Sequence, residues 1–155
     1  MAEGVSASSL QAGFVELASI VRALHGDWSA PVSGYDGWTC HELLAHLSST
    51  QASLARVAES ATKPAPEGAA PFDADRWNAS QTRKRAGKDP QELLNEFDMG
   101  TTQLVDVLTD IDLDKKVTIG AFPGHTLRLA MAQMFEHQKH HLDDLRASLH
   151  KSLPT

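Results

Sequence analysis

The chain has 155 residues, of which 41% are hydrophobic, and we expect residues 1–155 to form a single domain with a buried core. Lys and Arg number 14 against 20 Asp and Glu, a formal charge of -6, which argues against a nucleic-acid partner. The start lacks a basic, apolar leader, and no segment is apolar for long enough to span a bilayer, so we expect no membrane partner and a cytoplasmic location. The one cysteine, Cys40, excludes an internal disulfide, whereas eight histidines are an unusual resource.

Two long helices are predicted in the first half of the chain. Apolar residues at helical spacing indicate a first helix over about residues 6–25, ended by Gly26. The second helix has a clear start, because Thr39 can cap its first amides while the Glu42 side chain reaches back. Its apolar stripe fades before the segment KPAPEGAAP, residues 63–71, whose prolines and glycine predict a connecting loop.

A short helix and a third long helix follow. The short helix is expected over about residues 75–85. The long one begins with Asp89 as its cap and Pro90 at the first helical position. Its apolar stripe extends to Ile111, and Gly100 weakens it slightly.

The last long helix is predicted over residues 126–150, where the helical spacing of apolar residues returns. Before it, residues 117–125 combine Gly, Pro and β-branched residues, which predicts a loop or a brief extended stretch. Four long amphipathic segments without a convincing strand favour an all-α fold, a four-helix bundle with one short extra helix.

Several histidines are spaced like metal ligands. His137 and His141 are four residues apart, so both rings project from one side of the last helix, about one turn apart. His140 falls on the polar side and is expected in solvent. His46 lies beside the apolar stripe of the second helix, so two helices could direct these rings to a common interior point. Asp144 lies on the same helical side and could orient a ligand or bind the metal itself.

Three imidazoles with coordination positions left open suit catalysis better than a structural site. Such donors favour zinc, nickel, iron or copper over magnesium or calcium. The plainer alternative, hydrogen-bonded core or surface histidines, stays open. Met131 and Met134 are interpreted as packing residues. Cys40 is interpreted as a structural thiol, although the helix dipole at its position could lower its pKa.

Four segments together resemble a known family. GWTCHELLAHL, FDADRWNAS, DPQELLNEF and HQKHHLDDL occur in the order and spacing of the DinB-like superfamily, including its mycothiol-dependent maleylpyruvate isomerase N-terminal branch. The resemblance covers about residues 10–149. It implies an up-down-down-up four-helix bundle that holds a divalent metal, usually zinc or nickel. Carried over by motif, the ligands are His46, His137 and His141, the trio that helix geometry also selects.

The resemblance implies a thiol-dependent S-transferase or isomerase-type enzyme that uses mycothiol, bacillithiol or glutathione. As a hypothesis, this low-molecular-weight thiol binds at the metal as a thiolate and attacks a small electrophile, while Asp144 orients a ligand. Trp77, Asn78 and His125 are candidates for the substrate pocket. A homodimer is a further option. Two alternatives remain open, a non-enzymatic metal-binding or stress-related bundle and a metal-dependent hydrolase.

The sequence departs from the isomerase branch at one ligand position. That branch often has a glutamate as the first member of the last pair, where this chain has His137. Glu136 with His140 would supply the glutamate, but this pair faces the polar side of the helix. The isomerase also carries a further C-terminal domain that is not expected here. Isomerisation of maleylpyruvate is therefore not the predicted reaction.

Overall fold

Five α-helices and their connections make up the computed structural model, which describes residues 5–68 and 70–152. Residues 1–4 of the start considered above, Ala69 in the predicted loop and residues 153–155 lie outside the described part. Within it there are two isolated backbone bridges and no β-strand, so the predicted all-α class is confirmed. The helices are α1 (Ala7–Arg22), α2 (Cys40–Glu59, continued by a 3-10 helix at Ser60–Thr62), α3 (Ala74–Lys84), α4 (Pro90–Val107) and α5 (Leu127–Ser152).

Side-chain caps place the helix starts close to the predicted positions. Ser6 caps α1, and Thr39 and Glu42 form the predicted reciprocal box at the start of α2. Asp89 caps α4, whose first residue is Pro90. Each cap satisfies backbone amides that have no partner inside the helix, so these starts are well defined.

Two helices end earlier than the apolar pattern predicts. α1 ends at Arg22 rather than near residue 25, and α4 ends at Val107 although the stripe continues to Ile111. Leu24 and Ile111 still pack against the core from the connections that follow these helices. The pattern therefore reports burial of side chains, which continues beyond the last helical residue.

The four long helices pack so that α1 and α2 lie across the bundle from each other, each in contact with α4 and α5. α1 runs antiparallel to α4, because Gln11 near its start donates a 2.8 Å hydrogen bond to the Val105 carbonyl near the end of α4. α2 runs parallel to α4, because Ser48 donates at 2.8 Å to the Leu93 carbonyl in the first turn of α4, and Gln51, further along α2, donates at 2.9 Å to the Thr101 hydroxyl, further along α4.

α5 runs parallel to α1. At its start, Arg128 donates a 2.9 Å hydrogen bond to the carbonyl of Val5, which precedes α1. Near its other end, Leu149 packs against Gly26, which follows α1. The long helices therefore have the up-down-down-up arrangement that the resemblance implies.

α2 and α4 approach each other closely at Gly100. A Cβ at this position would lie 2.8 Å from the carbonyl carbon and oxygen of Gln51, closer than real Cβ atoms come. The residue that looks like a weak point of α4 in the sequence therefore allows the two backbones to meet.

Apolar side chains from all four long helices build the core of the bundle. Met131 is fully buried in it and Met134 packs against it, in agreement with their interpretation as packing residues. None of the helices in the described ranges is both long and apolar enough to cross a membrane.

Candidate metal centre

His46, His137 and His141 come together where the second turn of α2 faces the middle of α5. One ring nitrogen of each lies within 4.8 Å of a ring nitrogen of the other two. The ring centroids are 5.3 Å apart for His46 and His137, and 5.0 Å apart for His46 and His141. Those of His137 and His141 are separated by 4.4 Å. The three histidines selected from the sequence therefore share one point between two helices, and we call them the histidine cluster.

The burial and chemistry of the histidine cluster fit a divalent cation. His46 is only 5% exposed, and its Nδ1 is buried without a hydrogen-bond partner among the described residues. A buried polar atom without a partner costs free energy, and a ligand at this nitrogen would remove that cost. Imidazoles from two helices are also the donors that zinc and nickel accept.

Burial keeps the imidazoles of the histidine cluster neutral. Desolvation lowers the pKa of His46 to about 3 and that of His141 to about 4, and it also lowers the pKa of His137. Neighbouring imidazoles lower all three pKa values further, because a second positive charge nearby disfavours protonation. At neutral pH each ring therefore keeps an unprotonated nitrogen, as a metal ligand must.

A buried chain of hydrogen bonds begins at His137. Its Nδ1 lies 3.0 Å from Oε1 of Gln138. Gln138 Nε2 donates to the Leu47 carbonyl at 3.1 Å and to Gln51 Oε1 at 3.0 Å. Gln51 Nε2 in turn donates to the Thr101 hydroxyl at 2.9 Å. This series of hydrogen bonds, which we call the glutamine network, connects α5 through α2 to α4.

Tyr35 contacts His141 from the connection between α1 and α2. Its hydroxyl lies 2.5 Å from Nδ1 of His141 and donates to Oδ2 of Asp144 at 2.6 Å. Asp144, predicted to orient a ligand or bind the metal, is thus linked to His141 through Tyr35, and it also lies 3.5 Å from Nε2 of His140. Burial and the neighbouring Asp144 raise the pKa of Tyr35, so its phenol stays protonated.

Tyr35 and Gln138 are site residues that the sequence analysis does not identify. Gln138 occupies the apolar stripe of α5. Because a buried amide needs hydrogen-bond partners, a glutamine at this position indicates a buried hydrogen-bond network. Tyr35 lies 106 residues from His141 in an irregular segment, so no local pattern connects the two.

Two further histidines lie outside the histidine cluster. The His140 side chain is 75% exposed, as predicted, and Glu136, its partner in the alternative ligand pair, is exposed as well. His41 in the first turn of α2 places its Nε2 2.7 Å from the Lys88 carbonyl, which links α2 to the segment before α4.

His125, a candidate for the substrate pocket, lies in the connection between α4 and α5. Its ring contacts that of Phe122, with 5.4 Å between centroids. The same connection is bonded through the Thr118 amide to the Ser60 hydroxyl at 3.0 Å, just beyond the end of α2. Since His46 lies in the second turn of α2, the structure does not bring His125 to the histidine cluster.

A groove of about 910 Å³ lies beside the histidine cluster, between the starts of α2 and α4 and one face of α3. Trp38 connects the two, because it lines the groove and its ring centroid is 5.7 Å from that of His46. Asn78, predicted to line a substrate pocket, lines this groove. Trp77 instead contacts Phe72, with 6.1 Å between ring centroids.

Aromatic and polar side chains line the groove, and an ion pair holds α3 in place beside it. Arg85, just after α3, makes two hydrogen bonds of 2.7 Å to the Glu96 carboxylate of α4. This pair holds the end of α3 against the bundle. The lining includes Trp28, Trp38, Glu42, Asn78, Thr82 and Arg83.

Cys40, the first residue of α2, is fully buried. Burial raises the pKa of its thiol, and the nearby negative charge of Asp27 raises it further. The side chain therefore stays a neutral thiol in the core, in agreement with its interpretation as structural.

Comparison with known proteins places the chain in a family. The family model described as mycothiol maleylpyruvate isomerase N-terminal domain matches residues 10–143, a range that includes the whole histidine cluster. No curated protein and no solved structure matches the chain. Because the match covers most of the sequence, the chain belongs to the mycothiol maleylpyruvate isomerase N-terminal domain family, a DinB-like family.

Proposed function

We propose that the chain binds a divalent cation through His46, His137 and His141 and transfers a low-molecular-weight thiol to a small electrophile. The observation that carries this proposal is the convergence of three neutral imidazoles from two helices, with ring nitrogens within 4.8 Å of one another. Zinc and nickel are the cations that we favour. The name of the family points to mycothiol as the thiol. We place the reaction in the cytoplasm, where thiols are kept reduced.

In this mechanism the residues of the chain bind the cation, orient its ligands and shield the site from water. A cation held by the three histidines would lower the pKa of a thiol that binds to it and so favour the nucleophilic form of the sulfur. Neutral ligands leave the positive charge of the site uncompensated, which attracts an anionic sulfur. Trp38 packs on the His46 ring and shields this ligand from water.

The overall reaction exchanges one bond for another. The sulfur forms a bond to the electrophilic carbon, the thiol proton goes to solvent, and the leaving group departs with its electron pair. With an activated double bond as the electrophile, the carbon next to the new bond takes up a proton instead. Both forms need only the thiol, the electrophile and water.

We place the body of the substrate in the groove beside Trp38. Its volume of about 910 Å³ falls within the range of roughly 300–1,000 Å³ that is typical of small-molecule sites. Trp28 and Trp38 offer apolar ring faces, and Asn78 and Thr82 offer hydrogen-bonding groups. This combination suits a polar molecule with an apolar side.

Metal content provides the first test. Protein purified after growth with zinc or nickel is expected to retain roughly one cation per chain. His137→Ala is expected to lose it, whereas His140→Ala, which removes an exposed imidazole from the same helix, is expected to retain it. If the wild type and His137→Ala are equally metal-free even after titration with zinc and nickel, the proposal is wrong.

Thiol consumption provides the second test. Mycothiol, bacillithiol and glutathione are each incubated with a chloro-dinitro arene, and loss of free thiol is followed with and without a chelator. Metal-dependent loss of one thiol supports the transferase. Retention of metal without thiol consumption would favour the non-enzymatic metal-binding bundle, and metal-dependent cleavage by water would favour the hydrolase.

A further inference from the structure

Two histidines of the cluster have one ring nitrogen engaged by another side chain. His137 Nδ1 faces Gln138, and His141 Nδ1 faces Tyr35. In each pair the direction of the hydrogen bond decides which ring nitrogen carries the proton and which has a free lone pair. In water, a neutral histidine carries its proton mainly on Nε2, so these contacts can reverse the ordinary preference.

The side-chain amide of Gln138 fits in one orientation. Its nitrogen lies 3.1 Å from the Leu47 carbonyl oxygen and 3.0 Å from Gln51 Oε1, and both of these atoms are acceptors. Reversing the amide would bring its oxygen against the Leu47 oxygen, which cannot donate. The atom 3.0 Å from His137 Nδ1 is therefore the Gln138 oxygen. Because that oxygen only accepts, the proton of His137 is on Nδ1.

The far end of the glutamine network requires the same direction. The Thr101 hydroxyl donates to the Phe97 carbonyl at 2.9 Å, so it accepts from Gln51 Nε2. The Gln51 oxygen is then left to accept from Gln138. Thr101, Gln51 and Gln138 are buried, and reversing one amide would leave like groups facing each other in the interior.

Tyr35 determines the proton position on His141 by the same reasoning. A phenol has one proton to donate, and Tyr35 donates it to the Asp144 carboxylate, which only accepts. The Tyr35 oxygen can therefore only accept from its other neighbour, Nδ1 of His141 at 2.5 Å. The proton of His141 is on Nδ1 as well.

We propose that Gln138 and Tyr35 are positioning residues that hold His137 and His141 in the Nδ1–H form before a cation arrives, leaving both Nε2 lone pairs free to bind it. This inference rests on the proposed metal site. His46 provides the contrast, because its Nδ1 has no partner in the described part of the chain, so neither nitrogen is preset. When a residue that hydrogen-bonds to the other ring nitrogen of a ligand histidine is mutated, metal affinity typically falls by roughly 10–100-fold.

Nitrogen NMR of metal-free protein with isotope-labelled histidine tests the tautomers at neutral pH. Wild-type His137 and His141 are expected to show a protonated Nδ1 and an unprotonated Nε2. Gln138→Met is expected to move His137 toward the Nε2–H form, and Tyr35→Phe to do the same for His141 alone. The control, Ser48→Ala, removes a buried hydrogen bond of α2 outside both contacts and is expected to change neither ring.

Zinc affinity, measured by competition with a chromogenic chelator, gives the second readout. We expect a loss of about tenfold or more in Gln138→Met and in Tyr35→Phe, and less than about twofold in Ser48→Ala. Tyr35→Phe removes one hydroxyl from a half-buried side chain, so it keeps the fold even if Gln138→Met does not.

Two results would overturn the inference. One is an Nε2–H form of His137 or His141 in the wild type. The other is an unchanged zinc affinity in variants whose tautomers have changed. If the wild type shows the expected tautomers but binds no metal, the proposed function is wrong, while the assignment of both ring protons stands.

Discussion

Gly100 of α4 lies so close to Gln51 of α2 that a Cβ on the glycine would be 2.8 Å from the carbonyl carbon and oxygen of Gln51. Gly100→Ala gains at most about 1 kcal/mol in helix propensity. The helices must separate to admit the methyl group, and such overpacking costs about 1–3 kcal/mol. We therefore expect a lower Tm and, because Gln51 belongs to the glutamine network, a lower zinc affinity.

Gly87→Ala is the matched control for Gly100→Ala. Gly87 follows α3, and a Cβ there would meet nothing within 4 Å. Thermal unfolding of both variants and the wild type compares their Tm values and so tests this prediction. A Tm of Gly100→Ala at or above that of the wild type would contradict the close approach of the two backbones.

The metal-free protein is expected to lose stability as the pH falls from about 6.5 toward 4. The pKa of His46 is about 3 in the fold and near 6.5 in the unfolded chain, so between these values only the unfolded chain binds the proton. The free energy of unfolding then decreases by up to about 1.4 kcal/mol per pH unit for this residue. His141, with a pKa of about 4, acts in the same direction.

Urea unfolding between pH 7 and 4 measures this dependence. His46→Leu removes the buried titrating group and is expected to reduce the slope of stability against pH. His140→Ala removes an exposed imidazole that does not act on His46, and it is expected to change the slope much less than His46→Leu does. Equal slopes for the wild type and His46→Leu would show that His46 is not held neutral by burial.

The ion pair between Arg85 and Glu96 is expected to contribute more to the free energy of unfolding than a similar pair exposed to solvent. The side chains of Arg85 and Glu96 are 12% and 21% exposed and share two hydrogen bonds, whereas those of Arg22 and Asp98 are 61% and 45% exposed and share one. The same pair lowers the pKa of Glu96, because its ionised form accepts from Arg85.

We expect Arg85→Met to cost about 1–3 kcal/mol and Arg22→Met less than about 1 kcal/mol. Both changes replace a guanidinium by an unbranched apolar side chain, so their difference reports the environment of the pair. Urea unfolding at neutral pH measures both. Equal losses in the two variants would mean that the end of α3 is not held by Arg85.

Asn78→Ala is expected to raise KM for the electrophile by about threefold to tenfold, since it removes one hydrogen-bonding group from the groove wall. Metal content is expected to stay at the wild-type level, because Asn78 lies outside the histidine cluster. Asn95→Ala, an exposed change on α4, serves as the control. A changed kcat with an unchanged KM would show that the groove does not bind the substrate.

Local patterns predict the helix starts well, but they place the ends of α1 and α4 too late. The caps at Thr39 and Asp89 depend on neighbouring residues, so the sequence alone locates them. The ends depend on tertiary packing, because Leu24 and Ile111 reach the core without being helical. Gly100 shows the same limit, since its role depends on a backbone from another helix.

The candidate site divides in the same way. The spacing of His137 and His141 and the position of His46 beside an apolar stripe were enough to predict the histidine cluster. The contact from Tyr35 could not be predicted, because it joins an irregular connection to a helix more than half the chain away. No such spacing supports Trp77 or His125, and their place in a substrate pocket stays a prediction.

The diagonal placement of α1 and α2 has a consequence for the site. Helices that follow each other across a bundle cannot be joined by a tight turn, so the chain must cross the end of the bundle between them. That crossing carries Tyr35 onto His141 and Trp38 onto His46. The up-down-down-up order thus brings two aromatic side chains of this crossing segment over the histidine cluster, a cover that a tight turn between neighbouring helices would be too short to supply.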